Sequence, residues 1–534
     1  MTASTMVSIH PRAFVERARR EPTRVGLRVR SGDGWDAWTR RDIATEVDAR
    51  VTALTALGLR PAETVAILAG TSAEWYLTAL AIQIAGGVLV GVYPTSAPDQ
   101  IRHVISHAGC RIAFAGDRDL LEAVASVRSS CPSLQHTLVF GSEAGNAPSW
   151  PRLVDAHRIP DNPLDRLEHH VRALDPDQVC TIIYTSGTTG EPKGAMHSFR
   201  TIGQIERSVA PALGYRDTDE YLSFLPMSHT AEQQNTLVLG SAIGWTLNFS
   251  TLDRLFDDLP AIRPSVMFAV PRVLEKLRGL LEATDIETDG ALARAGLDRL
   301  RVLLAGGAPL DREVLAAFAR HGIQIRNGYG MTEGSGIAMP WATAPRVDTV
   351  GTPLPGVQIR LAADGEILVR SSGVCLGYYN DAAATQAMCT DDGYLHTGDV
   401  GKFTHDGELQ IVGRKKEIII TKGGKNMAPA GLEAKLTASP LIQRAVVIGN
   451  DRPYLVALIE PTPDAGFDDI SEHVDAVNST LSRPEQVKQF AVTDRALDEI
   501  PRALTPTQKL RRHVVEAAFA NLIEELYSRA PQRS

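Results

Sequence analysis

The chain has 534 residues, of which 44% are apolar and 22% are charged, and its formal net charge is −8. This length exceeds what one hydrophobic core usually holds, so we expect two or more domains. The acidic balance argues against a nucleic-acid-binding protein, because contact with a phosphate backbone needs a basic face.

The cysteines are spread along the chain without a CxxC pair, at Cys110, Cys131, Cys180, Cys375 and Cys389. This spacing fits neither a disulfide framework nor a zinc site, and it is typical of a reducing cytosol. The N-terminal residues carry charged side chains and no apolar signal-peptide core. We therefore expect a cytoplasmic protein.

From about residue 40 to residue 420, short runs rich in Val, Ile and Leu alternate with helix-like stretches. The runs are Thr64–Gly70, Gly87–Pro94, Arg111–Gly116, His136–Gly141, Val179–Tyr184 and Arg301–Gly307. This alternation predicts an α/β fold with doubly wound sheets, whose ligands lie at the carboxyl ends of the strands.

Tyr76–Tyr93 has the length of a membrane span and contains no charged residue. Gly86 and Gly87 divide it into a helix-like half and a Val-rich half. A buried helix followed by a buried parallel strand explains this division better than one long helix. We expect a soluble protein without a transmembrane segment, and peripheral contact with the inner membrane face stays open.

The pattern changes towards the end of the chain. Residues 350–412 contain two strand–turn–strand stretches with Asp-Gly turns, which predicts a small antiparallel, β-barrel-like region. The remainder alternates strand-like and helix-like stretches, and it ends in the helix-like Leu510–Ser528. We predict a large N-terminal domain at 1–412 and a smaller α+β domain at 413–534.

One loop stands out for its chemistry, YTSGTTGEPKG at Tyr184–Gly194. It follows a predicted strand and combines hydroxyls, glycines and one cation, at Thr185, Ser186, Gly187, Thr188, Thr189, Gly190 and Lys193. Glycines let backbone N–H groups approach a ligand and hydroxyls donate hydrogen bonds, so the loop suits phosphate oxygens. It lacks the GxxxxGK[ST] spacing of a P-loop, and a polar surface turn is the alternative.

Further motifs follow this loop in order. They are LPMSHTAEQ (Leu225–Gln233), GGAPL (Gly306–Leu310), NGYGMTE (Asn327–Glu333), GYLHTGDVG (Gly393–Gly401), GRKKEIIITKGGKN (Gly413–Asn426) and LTPTQKLRR (Leu504–Arg512). Together they resemble the signature of the acyl- and aryl-adenylating (AMP-binding) enzymes, which include acyl-CoA synthetases, adenylation domains of peptide synthetases and luciferases. The resemblance covers nearly the whole chain.

The resemblance implies a site for ATP and AMP. Besides the hydroxyl-rich loop, its residues would be Gly306, Gly307, Ala308, Pro309, Asn327, Gly328, Tyr329, Gly330, Thr332, Asp399, Arg414 and Lys509. Tyr329 would lie against the adenine, and Asp399 would accept hydrogen bonds from the ribose hydroxyls. Thr332 would contact the α-phosphate, and Glu333 would bind Mg²⁺.

The resemblance also assigns catalytic roles to Lys509, Thr332, Glu333 and His229. Lys509 would bridge the substrate carboxylate and the α-phosphate, because two anions that approach each other need a cation between them. His229 would be a gate at the acid site, with a core histidine as the alternative. Lys416 would be the hinge of a mobile C-terminal domain, and Gly423 and Gly424 would line the tunnel for coenzyme A.

The chain departs from the family pattern after PKGAM, where Phe199 occupies the position that is usually histidine. The TPTQKLRR form of the last motif, with Gly91–Pro98 and Pro264–Leu277, is most similar to the long-chain and very-long-chain (bubblegum-like) fatty acyl-CoA synthetases. Glu232 is the acidic residue near His229 that could face an amino-acid substrate, and the sequence leaves its direction open.

We therefore expect an ATP-dependent enzyme that converts a carboxylic acid, in particular a long-chain fatty acid, to acyl-AMP and then to acyl-CoA. ATP, Mg²⁺ and coenzyme A would be required. The alternatives are a fatty acyl-AMP ligase that serves a separate carrier protein, a ligase for a steroid or aryl acid, and a non-catalytic nucleotide sensor. No nucleic-acid partner is expected, and a homodimer stays open.

Overall fold

A computed structural model describes residues 9–32, 34–141, 148–185, 191–282, 290–308, 310–342, 344–422, 426–463, 465–501, 503–504 and 510–528. The chain divides into two compact units. The first comprises Met1–Arg360, Leu368–Thr397 and Phe403–Leu409, and the second comprises Leu361–Ile367, Gly398–Lys402 and Gln410–Ser534. The boundary between residues 412 and 413 stays a prediction.

Helices connect most strands, and several of them begin at side-chain caps. In the helix Arg40–Ala56, Thr39 accepts a hydrogen bond from the Asp42 amide and Asp42 accepts one from the Thr39 amide, which is a capping box. The α-helices are His10–Arg20, Arg40–Ala56, Ala73–Ile84, Pro98–His107, Arg118–Val127, Trp150–Ala156, Pro163–Ala173, Phe199–Ile202, Gln204–Leu213, Thr230–Glu232, Gly240–Ile243, Leu255–Ile262, Pro271–Glu282, Ala291–Arg294, Arg312–Arg320, Ala382–Met388, Pro429–Thr437, Phe467–Ser479, Arg512–Ala518 and Ala520–Ser528.

A six-stranded sheet forms one layer of the first unit. Its strands lie in the order His136–Val139, Ile112–Ala115, Thr64–Leu68, Val88–Val92, Val179–Thr185 and Lys193–Ser198. Neighbours are parallel except for the last pair, which is antiparallel. The three central parallel strands of the order are fully buried, which explains why they are continuous apolar runs in the sequence.

A seven-stranded sheet forms the second layer. Its order is Ile325–Asn327, Val302–Ala305, Val266–Ala269, Glu220–Ser223, Thr246–Phe249, Val25–Ser31 and Gly34–Thr39. Every pair is parallel except the last, an antiparallel hairpin. The predicted α/β class with parallel sheets is confirmed, and each predicted strand is present. All have slightly shorter ends except Val179–Tyr184, which extends to Thr185.

The apolar stretch Tyr76–Tyr93 is a helix and a strand, as predicted. The helix Ala73–Ile84 ends before Gly86, which has a φ of +81° that favours glycine, and the buried strand Val88–Val92 follows. Across the described ranges, no helix is at once long enough and apolar enough to cross a bilayer.

A β-rich region follows in the sequence. The strands Gln358–Leu361, Glu366–Arg370, Leu395–Phe403 and Leu409–Arg414 form a four-stranded sheet in that order. Both predicted Asp-Gly turns are present, with left-handed glycines at Gly365 and Gly407. A small three-stranded sheet contains Tyr329–Met331, Ser335–Met339 and Thr352–Pro353.

The second unit has its own core around the three-stranded sheet Ile442–Ile448, Leu455–Pro461 and Val487–Val492. Side chains alternate between two clusters, one on each face of the sheet. One face packs against the helices Arg512–Ala518 and Ala520–Ser528. The sequence pattern had suggested a single helix, Leu510–Ser528. The chain bends at Phe519, whose side chain is buried in this cluster. The short strands Ile419–Ile420 and Asn426–Met427 form a separate pair.

Candidate active site

The hydroxyl-rich loop is anchored on an antiparallel hairpin. Thr185 ends one strand and is paired with Lys193, which begins the next. The Lys193 ammonium nitrogen lies 5.1 Å from the centre of the Tyr378 ring and 3.7 Å from an Asp381 carboxylate oxygen. The hairpin therefore places a half-exposed cation beside Tyr378. Ser186, Gly187, Thr188, Thr189 and Gly190 lie outside the described residues.

Thr332 and Glu333 lie in the turn between Tyr329–Met331 and Ser335–Met339. The Glu333 residue is 9% exposed, and its Oε1 accepts a hydrogen bond from the Tyr378 hydroxyl at 2.9 Å. On the other side, His197 Nε2 lies 2.8 Å from the Thr332 carbonyl oxygen. The turn is held at two consecutive residues, so its carboxylate and hydroxyl have fixed positions.

His229 belongs to a segment that contacts this turn. Its Nδ1 accepts a hydrogen bond from the Ala231 amide at 3.2 Å, so the imidazole caps the short helix Thr230–Glu232. The next residue, Thr230, donates from its hydroxyl to the Thr332 hydroxyl at 3.1 Å. The predicted acid gate therefore lies one residue from a direct contact with the predicted phosphate-binding turn.

The glycine-rich residues lie at the carboxyl ends of two adjacent parallel strands. Asn327 pairs with Ala305, and the Gly328 amide donates to the Ala305 carbonyl at 2.8 Å. A Cβ on Gly306 would lie 3.3 Å from the Gly328 carbonyl oxygen, so Gly306 lies directly beside Gly328. This is the edge of a parallel sheet at which ligands bind. Pro309 lies outside the described residues.

In Gly330 the absence of a side chain has a steric reason. A Cβ there would lie 2.5 Å from the Ser335 carbonyl oxygen across the hairpin. Such a contact would push the two strands apart, and the turn that carries Thr332 and Glu333 with them.

Asp399 and Arg414 lie together in the second unit. The Arg414 Nε is 3.0 Å from Asp399 Oδ1, and the Asp399 side chain is almost completely buried whereas that of Arg414 is half-exposed. Lys416 is exposed in the 3₁₀ turn Lys415–Glu417, directly after Arg414. Gly423, Gly424 and Lys509 lie outside the described residues.

Comparison with known proteins decides the family. The sequence profile described as AMP-binding enzyme matches residues 14–379, and that of the AMP-binding enzyme C-terminal domain matches residues 416–531. The chain belongs to the AMP-binding enzyme family.

This AMP-binding enzyme is similar over most of its length to long-chain-fatty-acid–CoA ligases. It is 33% identical to one from Mycobacterium bovis, with 93% of each chain covered. It is 26% identical to one from Xenopus laevis, with 98% of this chain and 84% of the relative covered. Its fold matches the crystal structure of the anthranilate CoA ligase AuaEII in complex with anthranoyl-AMP, with a TM-score of 0.82, 21% identity, and coverage of 98% of this chain and 100% of that chain.

Two residues that hold the turn of this AMP-binding enzyme were missed by the sequence analysis. His197 lies two residues before Phe199, and burial lowers the pKa of its imidazole to about 4, so it is neutral. A neutral imidazole beside a carbonyl oxygen donates its Nε2 hydrogen, which holds the Thr332 backbone. Tyr378 holds the Glu333 carboxylate. Phe199, at the usual histidine position, is 1% exposed and lies against the ring of His10.

The Glu232 side chain is buried in the core. Its carboxylate accepts hydrogen bonds from Ser223 at 2.6 Å, from Thr236 at 2.7 Å and from Tyr221 at 3.2 Å. Burial raises the pKa of this carboxyl to about 7, and these hydroxyls only partly offset that effect. The carboxylate is bonded to hydroxyl groups of the protein itself. Its direction therefore gives no support to a role in binding the ammonium group of an amino-acid substrate.

Proposed function

We propose that this AMP-binding enzyme is a long-chain acyl-CoA synthetase. It activates a carboxylic acid with ATP to acyl-AMP and pyrophosphate, and then transfers the acyl group to coenzyme A with release of AMP. ATP and coenzyme A would be its other substrates, and a long-chain fatty acid would be its preferred acid.

One observation carries the proposal: the hydrogen bond between Thr230 and Thr332. It joins the segment assigned to the acid, next to His229, to the turn assigned to the α-phosphate and the metal. In-line attack of a carboxylate on a phosphorus atom requires the two reactants to be held at fixed positions. A direct contact between the two subsites is what such a reaction needs.

In the first step a carboxylate oxygen of the acid forms a bond to the α-phosphorus of ATP, and the bond from that phosphorus to the bridging oxygen breaks. Thr332 would donate to the α-phosphate, and Lys193 and the hydroxyl-rich loop would bind the leaving phosphates. Lys509 would reduce the repulsion between the two anions. In the second step the coenzyme A thiolate attacks the acyl carbonyl and AMP leaves.

The residues present fit a magnesium ion bound with the nucleotide. Glu333 supplies a carboxylate, and its Oε1 accepts a hydrogen bond from the Tyr378 hydroxyl. The Thr332 hydroxyl belongs to the preceding residue. Magnesium prefers one or two carboxylates together with phosphate oxygens and water. Bound there, the ion would neutralise negative charge on the phosphate oxygens. Glu333 would hold it, and Tyr378 would orient Glu333.

The long-chain acid is supported by the curated relatives and by the residues near His229. The Mycobacterium bovis and Xenopus laevis proteins are named long-chain-fatty-acid–CoA ligases. In this chain, the one carboxylate of the Thr230–Glu232 helix is turned into the core, so the helix offers no charge that would select a polar acid. The reaction is assigned to the cytoplasm, where contact with the inner membrane face would give access to apolar acids.

A panel of acids tests the proposal. Saturated acids of increasing length, a steroid side-chain acid and an aryl acid are each incubated with ATP, Mg²⁺ and coenzyme A, and AMP and the thioester are quantified by chromatography. We expect the highest kcat/KM for long-chain acids and a thioester in equimolar amount to AMP. A preference for the steroid or aryl acid would overturn the assignment of the acid. Nucleotide binding without AMP formation from any acid would indicate a non-catalytic nucleotide sensor.

The acceptor is tested separately. Coenzyme A is replaced by a phosphopantetheinylated acyl carrier protein, and the rate of thioester formation is compared at equal acceptor concentration. We expect coenzyme A to be the faster acceptor by at least about tenfold, since a carrier would need a protein contact in addition to the pantetheine arm. A faster rate with the carrier would identify an acyl-AMP ligase. Light scattering in the same buffer distinguishes a monomer from a homodimer.

A further inference from the structure

The segment Thr230–Leu239 buries an unusual number of polar side chains. It begins as the helix Thr230–Glu232 and continues as the π-helix Gln233–Leu239. Its buried polar residues are Thr230, Glu232, Gln233, Gln234, Asn235 and Thr236. Buried polar groups are costly unless they are hydrogen-bonded, so their partners show what the segment holds in place. Single π-helical turns are frequently found at functional sites.

Two of these residues fix the segment to the two large sheets. Glu232 is bonded to Tyr221 and Ser223 of the seven-stranded sheet. Gln233 Oε1 accepts from the Thr181 hydroxyl at 3.2 Å, and Thr181 lies in the strand that leads into the hydroxyl-rich loop. The segment is therefore a fixed support between the sheets.

Two others hold the turn that contains Glu333. Thr230 donates to the Thr332 hydroxyl at 3.1 Å, and Gln234 Nε2 donates to the Ser335 hydroxyl at 2.5 Å. Residues four apart on a helix lie on the same face, which places both donors towards the same turn. Their two acceptors flank Glu333 in the sequence, so the carboxylate that would bind the metal is held from both sides.

The conformation of Ser335 gives independent support. Its φ is +61°, in the left-handed region that glycine adopts freely and that other residues adopt at a cost. Non-glycine residues persist there when the surroundings hold them, most often at functional sites. Ser335 is 2% exposed, and its hydroxyl accepts the bond from Gln234. A serine rather than a glycine at this position is explained by that bond.

We propose that Gln234 and Ser335 are positioning residues for the adenylation step. Gln234 holds Ser335, Ser335 fixes the orientation of the Thr332–Glu333 turn, and the support for both is the segment that begins next to His229. The pair therefore acts on the α-phosphate and metal end of the nucleotide site and leaves the adenine end, at Tyr329, unchanged. This inference rests on the proposed function for its kinetic readout.

Substitution of Gln234 by methionine tests the proposal, because methionine has nearly the same length and donates no hydrogen bond. For Gln234→Met we expect kcat of ATP–pyrophosphate exchange to fall about tenfold, the order expected for one buried hydrogen bond. Because the lost hydrogen bond would no longer hold the Glu333 turn, the Mg²⁺ concentration for half-maximal rate should rise about fivefold or more. KM for ATP should change less than about twofold.

Ser335→Gly separates positioning from stability. Glycine relieves the left-handed strain but leaves the buried Gln234 amide without this acceptor. The two effects on stability oppose each other, so the unfolding midpoint should change little while kcat falls as in Gln234→Met. The double variant should lose no more than either single variant, since both remove the same hydrogen bond. A glycine variant with wild-type kcat and Mg²⁺ dependence would overturn the proposal, as would additive losses.

The matched control is Gln83→Met. Gln83 is a fully buried glutamine in the helix Ala73–Ile84, bonded to His10 at 2.7 Å and to the Cys180 carbonyl at 3.4 Å. Its loss should lower the unfolding midpoint without changing the Mg²⁺ dependence. An equal change in Mg²⁺ dependence in this control would show a general effect of lost buried amides, which would contradict the proposal.

Hydrogen–deuterium exchange gives a readout that does not depend on catalysis. We expect peptides that cover residues 332–339 to exchange faster in Gln234→Met and Ser335→Gly, with no change in Gln83→Met. Unchanged exchange in both turn variants would refute the positioning role. If the wild-type protein activated no acid, the proposed function would fail, and the exchange data would still decide whether Gln234 holds the turn.

Discussion

At the scale of single residues, Glu333 is the side chain whose chemistry is most directly testable. Its Oε1 accepts from Tyr378, and an amide oxygen at the same position can accept the same bond. Glu333→Gln therefore keeps the turn and removes the negative charge that would bind Mg²⁺. The variant isolates the electrostatic contribution of this carboxylate.

We expect Glu333→Gln to raise the Mg²⁺ concentration for half-maximal pyrophosphate exchange by about 10–100-fold, as expected for losing a charged interaction of about 1.5–3 kcal/mol. The unfolding midpoint should stay close to that of the wild type. The control is Glu122→Gln, because the Glu122 side chain is exposed and paired with Arg118 on the protein surface. Equal Mg²⁺ curves for wild type and Glu333→Gln would remove Glu333 from the metal site.

Glu232 gives a prediction of pH dependence. Burial raises the pKa of its carboxyl from an ordinary 4.5 to about 7 in the folded protein. Between these two values the folded chain holds a proton that the unfolded chain releases, so this group's stabilisation is complete below pH 4.5 and declines up to pH 7. The decline amounts to about 3 kcal/mol.

In Glu232→Gln this titration is absent, because glutamine stays neutral. We expect the unfolding free energy of the wild type, relative to the variant, to fall by about 2.5 kcal/mol between pH 5 and pH 8. Urea unfolding followed by tryptophan fluorescence is suitable, since all six tryptophans lie in the first unit. A difference that does not change with pH would mean that the carboxyl is already ionised in the folded protein.

At the scale of elements, the strands were predictable because their surroundings are uniform. Buried parallel strands are continuous apolar runs, and the Asp-Gly turns have a strong local preference. The contacts of the turn were not predictable in this way. His197, Gln234 and Tyr378 hold it from three separate parts of the chain, and no local pattern indicates which distant backbone a buried polar side chain will meet. The π-helical turn was missed for the same reason.

The strand Val88–Val92 is packed against the segment that carries His229, and Gly91 makes this packing possible. A Cβ on Gly91 would lie 2.8 Å from the Ser228 Cα and 3.1 Å from its Cβ. Since the first of these is a backbone atom, the collision cannot be relieved by a change of rotamer. The strand or the His229 segment would have to move.

We expect Gly91→Ala to lower the unfolding free energy by about 1–3 kcal/mol, the usual cost of overpacking. KM for the acid should rise, because His229 follows Ser228 directly, and KM for ATP should change little. The control is Gly70→Ala, in which the added Cβ has no atom within 4 Å. Gly70 lies two residues after Thr64–Leu68, the neighbouring buried strand of the same sheet. Acid kinetics and urea unfolding measure both effects, and equal behaviour of the two variants would refute this account of Gly91.

At the scale of the whole molecule, the two half-reactions place different demands on the chain. Adenylation needs a cation between two anions, whereas transfer to coenzyme A brings a thiolate to a carbonyl and has no such requirement. The family resemblance assigns the cation to Lys509 and the change between the steps to Lys416. These assignments predict opposite defects when each residue is substituted.

For Lys509→Ala we expect acyl-AMP formation to fall about 10²–10³-fold, which corresponds to the loss of about 3–4 kcal/mol of electrostatic stabilisation. Transfer to coenzyme A does not need this cation. Conversion of supplied acyl-AMP to acyl-CoA should therefore stay within about threefold of the wild type, a change of less than about 1 kcal/mol. Lys435→Ala is the control, because Lys435 is an exposed lysine on the helix Pro429–Thr437 of the second unit.

Lys416→Pro should show the reverse defect. Proline fixes φ near −65°, so a hinge at this exposed position would lose the rotation that the second step requires. Pyrophosphate exchange should therefore be retained while thioester formation from supplied acyl-AMP falls. Each half-reaction is measured by stopped flow in both variants. We expect opposite defects, which a general loss of folding cannot produce. If both half-reactions fell together in both variants while the unfolding midpoints stayed at the wild-type value, the hinge assignment would be wrong.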